Sequence, residues 1–179
     1  MNFQFYIKEK TVIRDVLEVL ISSLIIVFIV KKFLFTTYFV PSASMEPVIN
    51  INEKIIVSLL EKKIDIGDVV AFSNPDIPKV KMVKRVAGLP GDVVEVRDRK
   101  LFINNTHYSK WDGIDCILID PENLEYVMCA EIPENSFFLI GDNIYHSRDS
   151  RSWGFVPEKN IIGKVKAVYW PLTRFRIIK

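Results

Sequence analysis

From residue 36 onward the chain is a succession of short apolar runs cut by turn signals, and this spacing excludes most folds. Ile55–Val57, Val69–Phe72, Val93–Val96, Phe137–Ile140 and Val165–Trp170 are the clearest runs. Between them stand Ile66–Gly67–Asp68, Asn74–Pro75–Asp76, Leu89–Pro90–Gly91–Asp92 and Ile140–Gly141–Asp142. Runs rich in Val, Ile and Phe, punctuated by Gly-Asp and Pro-Gly, predict strands of an antiparallel sheet or barrel. No helical period of useful length interrupts them. Gly-Asp-Val-Val occurs at Gly67–Val70 and again at Gly91–Val94, but two copies of a turn-into-strand do not make a repeat architecture.

The N-terminal segment is different. Val19 to Val30 carries no charge, and apolar residues resume at Phe33–Phe35 after Lys31 and Lys32. An uncharged stretch of that length falls short of the roughly 17–25 residues needed to cross a bilayer core. Extending the helix from Val12 to Phe35 reaches it. Glu18 and the two lysines are then included, with the lysines free to snorkel to the interface. A cleaved signal peptide requires a small-residue cleavage site, whereas bulky, charged Lys31–Lys32–Phe33–Leu34–Phe35 follows here. The expectation is a single-pass anchor over residues 1–35. Lys8, Lys10 and Arg14 precede the span and Lys31 and Lys32 follow it, so charge alone does not orient it.

At 179 residues the chain has room for an anchor and one sizeable domain or two small ones. A net charge of +2 and the lack of a long basic run give no footprint for nucleic acid. Residues 92–133 are more polar and irregular than their flanks and read as an inserted subdomain. This divides the β region into 36–91 and 134–179 around the insertion. Cys116 and Cys129, the only cysteines, lie inside it. With one distant histidine they fall short of a zinc site. A disulfide, adding about 3 kcal/mol in the loop-entropy model, and two free thiols both remain open.

Lys84 is the most unusual charged residue. In a strand from Lys79 to Ala87, alternation puts Val80, Met82, Lys84 and Val86 on one face. Lys79, Lys81 and Arg85 lie on the other. A lysine alone among apolar neighbours is desolvated, which depresses its pKa from about 10.4 and makes the neutral amine available as a base. A serine needs such a base before it can act as a nucleophile. Ser42–Ala43–Ser44–Met45–Glu46–Pro47 lies just beyond the apolar segment.

Three blocks stand in order behind the apolar segment. They are Ser42–Pro47, Lys81–Asp92, and Gly141–Asp142–Asn143 running on to Ser147–Arg148–Asp149–Ser150–Arg151. Together they resemble the type I signal peptidases, or leader peptidases. The resemblance implies a membrane-anchored β protein whose smaller second domain occupies 92–133, with a cytoplasmic N-terminus and an extracytoplasmic catalytic domain at the plasma (inner) membrane. It implies a serine endopeptidase that removes signal peptides of secreted preproteins after Ala-x-Ala sites, without metal or organic cofactor. Ser44 is then the nucleophile and Lys84 the general base. The Ser44 N–H and the Ser42 hydroxyl hold the oxyanion, and Ser147 orients the lysine amine. Arg85, Asp142, Asp149 and Arg151 brace the site. Val40, Met45, Met82 and Val83 flank the reacting pair and are candidates to line the substrate pocket.

Ile144–Tyr145–His146 departs from that pattern, as does Val48, and His146 beside Ser147 raises a histidine base as an alternative. Two other readings stand. One is a specialised pilin or conjugation-factor processing peptidase. The other is an anchored β domain that binds secreted chains without cutting them.

Overall fold

The computed structural model describes residues 3–61, 63–111, 118–119, 126–127 and 129–178. Helix α1 spans Phe3–Ile29 and runs into a π-helical turn at Val30–Leu34. Val19, Leu24 and Phe28 are more than half exposed along it. Arg14 lies 3.6 Å from both Asp15 and Glu18, so charged groups occupy the start of the expected span. Among the described residues no helix is long and apolar enough to cross a membrane.

The rest of the chain is mostly β. In order come β1 Phe35–Phe39, β2 Lys54–Ser58, β3 Val69–Ser73, β4 Lys81–Gly88, β5 Val93–Arg97, β6 Lys100–Ile103 and β7 Thr106–His107. Then follow β8 Leu118–Ile119, β9 Tyr126–Val127, β10 Cys129–Glu131, β11 Ser136–Ile140, β12 Val156–Pro157, β13 Ile161–Trp170 and β14 Arg176–Ile177. A one-turn helix, α2 Ser150–Trp153, sits between β11 and β12. Each of the five apolar runs expected to be strands falls within one of these elements.

The main sheet has eight strands in the order β1-β2-β13-β3-β4-β11-β12, with β14 added beside β13. All its neighbours are antiparallel. A four-stranded sheet, β10-β5-β6-β7, is built from residues 93–131. Its two tight hairpins turn on Asp98–Arg99 and Asn104–Asn105, all four at positive φ. Paired positive φ values give the turn the twist that antiparallel strands need. Cys129 is exposed in β10; Cys116 lies outside the described residues, and the question of their pairing with it.

Apolar side chains fill three clusters. Val57, Val69 and Val165 belong to one, Val70, Phe72 and Val156 to a second, and Val94, Leu101 and Phe138 to a third under the smaller sheet. Phe72 and Phe138 are fully buried, each contributing about 1.5–3 kcal/mol by transfer from water. Strand β4 lies between β3 and β11, and from Lys84 to Gly88 it is buried on both faces. Arg85 is therefore only 8% exposed. The alternation in sequence marks it as belonging to a more charged face, but the smaller sheet's cluster covers Ala87 on that side.

Candidate active site

Between β1 and β2 the chain makes a loop that closes at its neck. The Val40 N–H donates to the Glu53 carbonyl at 2.9 Å, and Asn52 N–H donates to the Val40 carbonyl at 2.9 Å. Met45 and Ile49 are four residues apart, joined by an Ile49 N–H to Met45 carbonyl bond of 2.8 Å. Both are buried in the core. Their burial fixes the loop on the sheet and leaves Ser44 directed at β4.

Lys84 extends from β4 to meet it. Its Nζ donates to Ser44 Oγ at 2.6 Å, and the lysine is 1% exposed. Burial pushes the Lys84 pKa down to about 8, against the pull of the Asp149 carboxylate and with a push from Arg151. Ser42 Oγ lies 3.4 Å from Ser44 Oγ. The Ser44 carbonyl accepts the Asn143 N–H at 3.1 Å, tying the Ser44 loop to the segment after β11.

That segment is organised by Asp149, whose side chain is fully buried. Its Oδ2 accepts the Ser147 hydroxyl at 2.6 Å and the Gly141 N–H at 3.0 Å. Its Oδ1 accepts Arg151 Nε at 2.7 Å and caps α2 through the Arg151 N–H. Arg151 Nη2 also reaches the Ile144 and Ser147 carbonyls at 2.9 and 3.0 Å. Gly141 has no room for a side chain: a Cβ there would strike Ser147 Oγ and the Ser44 carbonyl oxygen. The close approach of the two segments therefore requires glycine.

A second buried carboxylate, Asp142, takes Arg85 Nε and Nη2 at 2.8 and 2.7 Å. Arg85 Nη1 goes to the Gly67 carbonyl at 2.5 Å. Lys110, from the segment between β7 and β8, adds a bond of 2.6 Å to Asp142. Burial alone raises the Asp142 pKa, but the donors from Arg85 and Lys110 outweigh it and hold the carboxyl below its ordinary value. Sequence reasoning missed Lys110, because no spacing links a half-exposed lysine of the insertion to a site so far along the chain. It also missed the Asn143 N–H contact and the tight fit at Gly141. His146 is exposed, with Nδ1 3.3 Å from Asn143 Oδ1, and makes no hydrogen bond with Ser44 among the described residues.

Beside the Ser44–Lys84 pair lies a cleft of about 290 Å³. Val40, Met45, Met82 and Val83 all line it, together with Tyr38 and Ala71. Ser44 and Lys84 themselves form part of its wall, and most of the remaining lining is apolar. A neutral Lys84 amine at 2.6 Å can take the proton of the serine hydroxyl as its oxygen attacks a carbonyl carbon. The chemistry on offer is acyl transfer.

The sequence matches the family described as "Signal peptidase, peptidase S26" over residues 13–170. It is 33% identical over 180 residues to "Signal peptidase I P" of Bacillus subtilis subsp. natto, covering 96% of this chain and 97% of that protein. It is 31% identical over 190 residues to "Signal peptidase IB" of Staphylococcus aureus (strain COL), covering 91% and 94% of the two chains. A crystal structure of a signal peptidase I from Enterococcus faecalis V583 aligns over 57% of this chain and 96% of its own. The identity is 30% and the TM-score 0.43, too loose a superposition to bear on the geometry. With most of its length matched by the family and by full-length relatives, the chain belongs to the peptidase S26 signal peptidases.

Proposed function

We propose that this protein is a membrane-anchored serine endopeptidase that removes N-terminal signal peptides from exported preproteins. Ser44 attacks the scissile carbonyl while Lys84 takes its proton. Lys84 then passes the proton to the leaving amine, and the acyl-enzyme is released by a water activated in the same way. The Ser44 N–H and Ser42 hydroxyl stabilise the oxyanion, a contribution worth about 2.7–4 kcal/mol per donor in the transition state. Ser147, Asp149 and Arg151 hold the wall of the site nearest Lys84, and Arg85 and Asp142 hold the adjoining one.

The apolar walls formed by Val40, Met45, Met82 and Val83 support a preference for small apolar side chains, as cleavage after Ala-x-Ala requires. In this reading the anchor is the longer segment from Val12 to Phe35, the later part of α1 together with the turn that follows it, with the N-terminus cytoplasmic and the β region outside. It holds the dyad near the membrane plane where the scissile bond emerges. Residues 36–91 and 134–179 form the catalytic domain and 92–133 a subdomain inserted in it.

The observation that carries this reading is the 2.6 Å approach of a buried lysine to Ser44 in a chain of this family. The test is incubation of the purified full-length protein with a preprotein. Wild type is expected to release the signal peptide, and Ser44→Ala and Lys84→Ala to be inactive. The double variant should be no worse than either, because dyad members act as a unit. Cleavage surviving in Lys84→Ala excludes the dyad. Binding without cleavage by wild type favours a non-cutting β domain.

A further inference from the structure

The loop that carries Ser44, joining the paired strands β1 and β2, contains no strand of its own, and one side chain from the far end of the sequence grips it. Arg176 sits in β14, held to β13 by the Val168–Arg176 and Ala167–Ile177 pairs. Its guanidinium takes the Glu53 carboxylate bidentately, Nη1 to Oε1 at 2.9 Å and Nη2 to Oε2 at 2.5 Å. The same group donates to the Val48 carbonyl from Nε at 3.1 Å and from Nη2 at 2.6 Å. Glu53 is fully buried, and its Oε2 also accepts the Asn50 N–H at 2.9 Å. Carboxylate and guanidinium therefore join the neck of the loop, at Glu53, to its far limb, at Val48 and Asn50. Arg174 stands 3.9 Å from Glu53 Oε1 but is 57% exposed and reaches neither backbone group.

We propose that Arg176 is a positioning residue for the reacting serine, acting through Val48 and Glu53; this rests on the reading of Ser44 as nucleophile. The guanidinium fork connects the sheet to the loop through four hydrogen bonds to the Val48 carbonyl and the Glu53 carboxylate, which a lysine's single ammonium cannot reproduce. A nucleophile displaced by about 1 Å loses on the order of 10²-fold in rate, because its oxygen no longer lies at once against Lys84 and the scissile carbon. Substrate binding in the cleft is untouched, since Arg176 does not line it.

The experiment compares wild type, Arg176→Lys and the double variant Glu53→Gln/Arg176→Gln as full-length proteins acting on a purified preprotein. Arg176→Lys keeps a positive charge opposite Glu53 but lacks the fork. The double variant leaves no buried charge unpaired. Turnover and KM are measured per folded molecule, with folding followed by thermal melting, and the pH–rate profile is recorded. Expected is a fall in kcat of about 10–100-fold, with KM within about twofold and the rising pH limb unmoved, since Lys84 keeps its surroundings. Wild-type kcat per folded molecule in Arg176→Lys overturns the proposal, as does a raised KM with kcat unchanged. If Arg176→Lys does not fold, the double variant is judged by the same criteria. Ser44→Ala runs alongside. Activity surviving there removes the dyad reading itself, whereas an inactive Ser44→Ala beside a fully active Arg176→Lys removes only the clamp.

Discussion

Asp142 receives the Arg85 guanidinium side-on, through Nε at 2.8 Å and Nη2 at 2.7 Å. The carboxylate side chain is fully buried and that of Arg85 only 10% exposed, whereas that of Lys110, the third member, is 44% exposed. Removing Arg85 leaves a buried charge without its main partner, and Arg85→Met is expected to destabilise the protein by about 3–5 kcal/mol. Lys110→Ala should cost about 0–1 kcal/mol, as for other exposed pairs. Urea unfolding of both variants at pH 7 checks the difference. Because folding lowers the Asp142 pKa, its contribution is complete above the unfolded value near 3.9 and is lost as pH falls through the folded one. Asp142→Asn should therefore be less stable at pH 7 and less sensitive to acid below about pH 4.

Lys84 shifts stability with pH in the same direction, but as a cost that fades rather than a contribution that builds. Burial lowers its pKa to about 8, so activity should rise with pH through a limb near 8 and level off well below the ordinary lysine value. Between the folded and unfolded values the unfolded chain binds more protons, so stability rises with pH across that window. Below it, the buried ammonium costs about 3 kcal/mol at full strength. Lys84→Met should be inactive yet at least as stable as wild type at neutral pH, with the added slope between pH 8 and 10.5 abolished. A pH–rate profile and melting curves across pH decide it; a limb near 10 together with a less stable methionine variant contradicts burial as the cause.

Gly141→Ala tests the contact between the two segments of the site. The new methyl group meets Ser147 and the Ser44 carbonyl, and overpacking of this kind costs about 1–3 kcal/mol. The serine is pushed from Lys84, so turnover should fall more than the folded fraction does. Wild-type turnover in a folded Gly141→Ala protein would show that the segments can part without consequence.

Ser42→Ala is expected to lower kcat by about 10²–10³-fold with KM nearly constant, the signature of a donor used in the transition state. Its hydroxyl lies 3.4 Å from Ser44 Oγ, so it can reach an oxygen bound to the same carbon. Weakened binding at unchanged turnover would instead place Ser42 in substrate recognition.

The strands were legible because turn residues separate the apolar runs, as at Gly67 just before β3, where φ is +93°. The hairpin at Asp98–Arg99 was not: aspartate tolerates positive φ, but Arg99 stands where such a turn usually has glycine and so gives no turn signal. Lys84 could be singled out from alternation within one strand. Its partner could not: Ser44 lies 40 residues earlier, and only resemblance to a family joined the two in advance. The Glu53–Arg176 pair spans 123 residues and belongs to no motif, so nothing short of the fold reveals it. Helix α1 is the opposite case, where a clear local signal left the relation to a bilayer open because Arg14, Asp15 and Glu18 adjoin the apolar stretch.

The strand order β2-β13-β3-β4 has a consequence for when in its own lifetime the protein can act. The serine loop hangs from β2 and the lysine stands on β4, and the strand that bridges β2 to β3 is made from residues 161–170. Until those residues leave the ribosome, the N-terminal hairpin and the β3–β4 hairpin have no backbone ladder between them. A chain still being made, or one truncated before residue 161, has Ser44 and Lys84 but not the ladder that brings their strands together.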